Sequence, residues 1–247
     1  VTARAARDLR IGCVGYLNAR PLIHGWPGNV HFDHPAALCA KLAAGELDVA
    51  LVSSFEYLRD PSYTIVDQIA IASDGPVYSV IVASTKPFEE LEEIELDPAS
   101  VTSVNLLRCL SNAEVTTSAG IARLMIGDRA IRFRAEHQST YRITDLGELW
   151  RERTSLPFVY ALWLVRPGVD AASVAEQLRD LRDRNLQRIE ELAAGQRDFA
   201  PEFVRRYWTE YLKFSFADRE KEGLIKFRSL CQEQGVLPPN SAPLKLV

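Results

Sequence analysis

Along the first third of the chain, apolar runs of strand length alternate with stretches that read as helix. Ile11–Gly15 is a run of small and apolar residues, closed by Tyr16-Leu17-Asn18 and by Pro21, which cannot continue a central strand. Asn29–Phe32 reads as a second short strand. Pro35 opens a helix of good formers from Ala36 to Ala43, and Gly45 ends it. Asp48–Val52 (DVALV) is almost continuously apolar, the pattern of a strand buried on both faces. Ser53-Ser54 follow it, and Phe55–Leu58 begins a short helix. The short connections of this β-α-β-α order predict a doubly wound lobe.

Tyr63–Val66, Gln68–Ser73 and Val77–Ser84 read as further strands, the last two separated by the turn Asp74-Gly75-Pro76. From Lys86 the alternation restarts. Phe88–Glu93 is a helix or acidic turn, Val104–Leu110 a helix preceded by Thr102-Ser103, and Ala122–Ile126 a buried strand ending in Gly127-Asp128. Leu156–Val165 is another apolar strand. After Pro167 the strands stop, and Ala171–Ala194, Pro201–Leu212 and Asp218–Gln234 read as amphipathic helices. Two crossings, near Ser73–Ser84 and Pro157–Val165, join the two α/β parts. This order predicts a two-lobe clamp of the type II periplasmic-binding-protein kind with a C-terminal helical segment. Residues 1–84 and 160–247 would form the first lobe with the C-terminal helices, and 85–159 the second.

Composition narrows the partners. A net charge of −4 over 247 residues, with no Lys/Arg block, argues against nucleic acid. No apolar run approaches the roughly 18–20 residues of a membrane span. The opening VTARAARDLR has no apolar core of the signal-peptide kind, so a cytoplasmic protein is expected. Cys13, Cys39, Cys109 and Cys231 are scattered and read as reduced thiols. No P-loop, G-x-G-x-x-G or G-x-S-x-G is present, so nucleotide binding and triad hydrolysis have no support. His31-Phe32-Asp33-His34 has metal-ligand residue types but no further partner in the pattern, and reads as a solvated turn.

Candidate site residues come from strand ends, because open α/β sheets bind ligands at the carboxyl edges of their strands. Asn18 follows the first strand, Ser53 and Ser54 follow DVALV, Ser73 and Gly75 lie at a lobe crossing, and Asp128 follows the strand of the second lobe. Thr102 and Ser103 stand at a helix N-terminus, where free N–H groups and a partial positive charge hold a carboxylate without Lys or Arg. Each position has a structural reading too: the hydroxyls as helix caps, Asn18 and Gly75 as turn residues, Asp128 as a cap.

Taken together, these stretches resemble a known family. Arg10-Ile11-Gly12 with Tyr16-Leu17-Asn18-Ala19-Arg20-Pro21 is similar to the opening of chorismate dehydratases, enzymes of menaquinone biosynthesis by the futalosine route. Gly45–Ala50 leading into Ser53-Ser54-x-Glu56-Tyr57, then Ser73-Asp74-Gly75-Pro76-Val77-x-Ser79-Val80 and Thr102-Ser103, follow in family order. So do Ile126-Gly127-Asp128-x-Ala130, Asp145-Leu146-Gly147-x-x-Trp150 and Leu156–Ala161. One departure stands out. Between Leu110 and Ala122 family members are longer by a β-α unit, where this chain has only SNAEVTTSAGI.

The resemblance implies conversion of chorismate to 3-[(1-carboxyvinyl)oxy]benzoate and water, a hydro-lyase reaction requiring no cofactor or metal. It implies a catalytic role for Asn18 and substrate contacts from Ser53, Ser54, Ser73, Gly75, Thr102, Ser103 and Asp128. The cleft motifs lack an obvious general base, consistent with the substrate's own side-chain carboxylate taking the proton. Two alternatives share the fold: a cytoplasmic binding protein for a small carboxylate, and the sister enzyme acting on cyclic dehypoxanthinyl futalosine, whose opening differs from Tyr16-Leu17-Asn18. Oligomeric state is left open.

Overall fold

The computed structural model describes residues 9–96 and 100–247. The polar tail read over Val1 to Leu9 lies outside them but for Leu9, as do Asp97, Pro98 and Ala99 ahead of the second-lobe helix. Strands β1 (Ile11–Cys13), β2 (Val30–Phe32), β3 (Val49–Ser53), β4 (Thr64–Ser73) and β10 (Phe158–Val165) form one sheet in the order β2-β1-β3-β10-β4. β1 runs parallel to β2 and β3, with Ile11 opposite both Val30 and Val49, and β10 runs antiparallel between β3 and β4. The second sheet repeats the scheme as β7-β6-β8-β5-β9, from β5 (Val80–Ser84), β6 (Glu93–Glu95), β7 (Glu114–Thr116), β8 (Ala122–Ile126) and β9 (Arg142–Asp145). Its antiparallel member is β5. Each sheet thus receives its antiparallel strand from the segment that has just crossed from the other.

The lobe boundary expected at residue 84 falls elsewhere at the strand level: β5 pairs with β8 and β9, so residues 80–84 belong to the second sheet. The expected strand from Val77 starts only at Val80. The Val77 and Tyr78 N–H groups are taken by the Asp145 carboxylate instead of a neighbouring strand, and Tyr78 sits at φ +68°. Tyr63–Val66 and Gln68–Ser73 merge into β4, with the irregularity absorbed at Gln68 (φ +68°).

Helices flank the sheets. α1 (Arg20–Ile23), α2 (Pro35–Ala43) and α3 (Ser54–Arg59) belong to the first lobe, and α4 (Thr102–Leu110), α5 (Gly127–His137) and α6 (Leu146–Thr154) to the second. The sequence pattern pointed to neither α5 nor α6. Their buried residues are few (Gly127, Ala130 and Ile131; Leu146, Gly147 and Trp150) and their remaining positions are rich in Arg and Glu. The C-terminal segment comprises α7 (Ala171–Gln187), α8 (Ile189–Ala194), α9 (Pro201–Arg206) and α10 (Asp218–Glu233). The single helix expected over 171–194 breaks at Arg188, and the one expected over 201–212 turns into a π-helical turn at Tyr207–Tyr211. Among the described residues, no helix is long and apolar enough to cross a membrane. The four cysteines are free thiols, with the Cys109 and Cys231 sulfurs 3.7 Å apart between α4 and α10.

The short stretch before Ala122 has a structural counterpart. In the first lobe α2 connects β2 to β3, whereas only residues 117–121 connect β7 to β8. The sheet is built for this. Glu93 and Glu95 alternate with the fully buried Ile94, and Arg123 pairs with Glu95 in register and by an ion contact of 3.8 Å. That face carries partly exposed charge where a covering helix would demand apolar side chains.

Candidate active site

A cavity lies between the two sheets' carboxyl edges. The free space of this cleft, counted out through its mouth and into solvent, is about 610 Å³. Its polar lining is Tyr16, Asn18, Ser53, Ser79, Ser100, Thr102, Ser103 and Tyr160; its apolar lining includes Val14, Leu51, Ile71, Val101 and Ile126. Among the described residues, no Asp, Glu, His, Lys or Arg side chain lines it.

Asn18 occupies a 3-10 turn, Leu17–Ala19, three residues beyond the end of β1. Leu17 and Ala19 are fully buried, which turns the residue between them toward the cleft. The Leu17 peptide is held on both sides: its N–H donates to Asp128 Oδ1 at 2.9 Å, and its carbonyl accepts from Trp208 Nε1 at 2.9 Å. Asn18 Oδ1 is buried and, among the described residues, has no hydrogen-bond partner. A buried acceptor left unmade costs about 1–3 kcal/mol, so this oxygen is a ready site for a ligand hydroxyl.

Ser53 ends β3. Its Oγ lies 2.5 Å from Thr102 Oγ1, and Thr102 Oγ1 donates to the Tyr160 carbonyl at 3.0 Å. Thr102 has one proton and spends it on that carbonyl, so Ser53 is the donor to Thr102. This pair joins the first sheet to the first turn of α4 and holds the lobes together across the cleft. α4 begins two residues earlier than the pattern predicted, so its N-cap position is Val101, and neither Thr102 nor Ser103 is the cap. The Ser103 N–H is bound by Ser100 Oγ at 3.2 Å. The α4 N-terminus still faces the cavity through Ser100 to Ser103, and it brings the partial positive charge expected there.

The other expected contacts lie behind the wall. Ser54 Oγ donates to the Val159 carbonyl at 2.7 Å and is fully buried. Ser73 Oγ donates to the Gly75 carbonyl at 2.9 Å and stands 3.2 Å from Tyr160 Oη. Gly75 makes its turn at φ +120°. Asp128 opens α5 and is spent on the Leu17 N–H, while burial shifts its pKa upward from the usual carboxylate value. None of these four lines the cavity. Burial also raises the Tyr160 phenol well above its usual value, so it stays protonated.

Two glycines shape these walls. Gly127 adopts φ +60°, and a Cβ there would lie 3.1 Å from the Tyr16 ring, so its absence lets that ring lie flat against the start of α5. At Gly147 a Cβ would meet the Gly75 carbonyl oxygen at 2.6 Å, Tyr160 Oη at 2.6 Å and Ser73 Oγ at 2.7 Å. Beside it, the Asp145 carboxylate accepts from the Val77, Tyr78, Gly147 and Glu148 N–H groups and pairs with Arg134 at 3.0 Å. The crossing segment is thereby tied to the second sheet.

Sequence reasoning missed Tyr16, Ser79, Ser100 and Tyr160. All but Ser100 fall inside motif stretches that carry the family resemblance. Ser79 stands in the crossing just before β5, and its Oγ accepts from Tyr207 Oη at 2.6 Å.

The comparisons with known proteins agree with this geometry. The sequence model of the family described as "Menaquinone biosynthesis" matches residues 9–233. A chorismate dehydratase of Thermus thermophilus is 31% identical over 224 residues, covering 77% of this chain and 82% of that protein. A chorismate dehydratase of Campylobacter jejuni is 27% identical over 220 residues, covering 88% and 91%. Among solved structures, the alkanesulfonate-binding protein SsuA from Xanthomonas axonopodis pv. citri, bound to MOPS, superposes with a TM-score of 0.66 at 14% identity, covering 96% of each chain. That likeness fixes the fold as the two-lobe periplasmic-binding-protein clamp expected from the order of elements. The match over residues 9–233 shows that the chain belongs to the menaquinone-biosynthesis family.

Proposed function

We propose that the protein is a chorismate dehydratase, converting chorismate to 3-[(1-carboxyvinyl)oxy]benzoate and water. The observation that carries this reading is the character of the cleft, lined by neutral donors and an amide oxygen unpartnered among the described residues, with no acid or base among the described lining residues. The two similar chorismate dehydratases and the family match support it.

The chemistry suits such a cleft. The C3 proton of chorismate is vinylogously acidic, because the charge left on its removal spreads through the ring diene to the ring carboxylate. Donors fixed on that carboxylate lower the barrier electrostatically. The α4 N-terminus, with the Ser100 and Ser103 hydroxyls, is the part of the wall built for it. Asn18 Oδ1 accepts from the C4 hydroxyl and sets the C4–O bond for departure. The enolpyruvyl carboxylate takes the C3 proton and delivers it to the leaving oxygen, which departs as water. The C3–H and C4–O bonds break, the C3–C4 double bond forms, and the ring becomes aromatic. Ser79, on the crossing, is a further hydroxyl donor to the substrate.

Incubating the protein with chorismate and weighing the products by mass spectrometry tests this. A product lighter by one water, absent without protein, is expected. Chorismate bound but recovered unchanged would instead mark a binding protein on the same fold.

A further inference from the structure

The C-terminal helices contribute to the cleft through one irregular turn. α9 does not continue as α-helix past Arg206; Tyr207–Tyr211 is a π-helical turn, closed by the Leu212 N–H on the Tyr207 carbonyl at 3.1 Å. In a regular α-helix, neighbouring side chains diverge by about a quarter-turn, and π-turns recur at functional sites. Here the consecutive residues Tyr207 and Trp208 are both buried, at 0% and 2% exposure. Each makes a long-range hydrogen bond to an element of the cleft wall. Tyr207 Oη donates to Ser79 Oγ at 2.6 Å, and Trp208 Nε1 donates to the carbonyl of Leu17, the residue before Asn18, at 2.9 Å. Tyr207 is itself fixed by stacking on Phe203, with centroids 5.8 Å apart and planes 10° from parallel. Phe203 in turn packs on Tyr78, the neighbour of Ser79.

We propose that the Tyr207–Tyr211 π-turn is the positioning element of the site, with Tyr207 orienting the Ser79 hydroxyl and Trp208 holding the turn that carries Asn18. The proposal rests on the dehydratase reading. It follows from proton bookkeeping. Ser79 Oγ accepts the Tyr207 proton and, among the described residues, has no second protein partner. Its own hydroxyl proton is therefore free to point into the cavity that Ser79 lines. Burial raises the Tyr207 phenol well above its ordinary value, so it remains a donor across the working pH range. Tyr207 touches no cavity space itself and acts through Ser79.

The test is a kinetic double-mutant cycle with chorismate on the full chain, comparing wild type, Tyr207→Phe, Ser79→Ala and the double variant. Tyr207→Phe keeps the ring and its stacking and removes only the donor. The expected result is a kcat about tenfold lower, equivalent to about 1.4 kcal/mol, with KM within about twofold. In the Ser79→Ala background the same change has no further effect on kcat. Tyr57→Phe is the control. Tyr57 is a buried tyrosine away from the cleft whose Oη accepts from the Lys245 N–H at 2.7 Å, and its loss lowers stability while leaving kcat in place. A Tyr207→Phe kcat within twofold of wild type overturns the proposal, as does an undiminished loss in the Ser79→Ala background. Should wild type bind chorismate without converting it, the dehydratase reading fails. The same cycle is then read in the dissociation constant, where additive effects overturn the positioning role. Wild type that neither binds nor converts chorismate removes both.

Discussion

Asn18 offers a perturbation whose effects on stability and activity have opposite signs. Its Oδ1 is buried without a partner among the described residues, so the free protein carries a desolvated acceptor that folding has not compensated. Asn18→Leu replaces the amide with an apolar group of similar size between the buried Leu17 and Ala19. The relief is at the low end of the ~1–3 kcal/mol range for an unmade buried bond, because the residue as a whole is only partly buried. A gain of ~1 kcal/mol raises Tm by roughly 2–4 °C in a chain of this size. Turnover moves the other way. Losing a preorganised polar group at the reacting centre costs ~10²–10³ in kcat. The assay is thermal unfolding with and without chorismate, beside initial rates of product formation. Wild type is stabilised by chorismate, whereas Asn18→Leu starts higher and gains less. A variant that melts below wild type and still turns over at the wild-type rate would refute the reasoning, since Asn18 would then be an ordinary turn residue.

Other predictions follow from the walls. Gly147→Ala drives a Cβ to within 2.6–2.7 Å of Gly75, Tyr160 and Ser73; overpacking of this kind costs ~1–3 kcal/mol, so its urea midpoint falls and kcat/KM drops with the displaced crossing, and an unchanged midpoint would show that the crossing yields easily. With no Lys or Arg side chain lining the cavity among the described residues, the KM for chorismate changes by less than about twofold between about 0.05 and 0.5 M salt; a steep rise would mean that an exposed cation holds the substrate. Asp48 is buried, which opposes its charge, but the hydrogen bonds from Arg10 and Arg166 prevail and lower its pKa from 3.8 to about 2. Its stabilisation is therefore complete above pH 3.8 and is lost as pH falls toward 2. Asp48→Asn lowers the denaturation midpoint at neutral pH and flattens that acid limb, and an acid limb as steep as wild type's would assign it to other carboxylates.

The parts of this molecule legible in the sequence are those where a local pattern is also the tertiary one. DVALV reads as a buried strand because both its faces are covered, and every residue of β3 is buried. Its end, Ser53, and Asn18 in the turn that follows β1 lead from those strands to the cleft. What a strand end does not reveal is which way a side chain turns. Ser54, Ser73 and Asp128 sit at the expected edges, yet each is bonded to backbone behind the wall. Thr102 was legible as part of a helix N-terminus but not as the hydroxyl that meets Ser53 from the opposite lobe, since that contact depends on closure. The Tyr207 and Trp208 contacts join residues more than a hundred positions apart through an irregular turn, and no periodicity encodes them. The β7–β8 connection shows the reverse case. Its shortness was legible in the sequence, and the polar residues Glu93, Glu95 and Arg123 beside it carry charge that no covering helix buries.

The most direct test of the central claim is the ultraviolet spectrum of chorismate recorded over time with the protein, with Asn18→Leu, and with neither. The account predicts that the diene spectrum gives way to that of a substituted benzoate with wild type alone, while the variant tracks the protein-free control. An unchanged spectrum with wild type, or equal conversion by the variant, would contradict it.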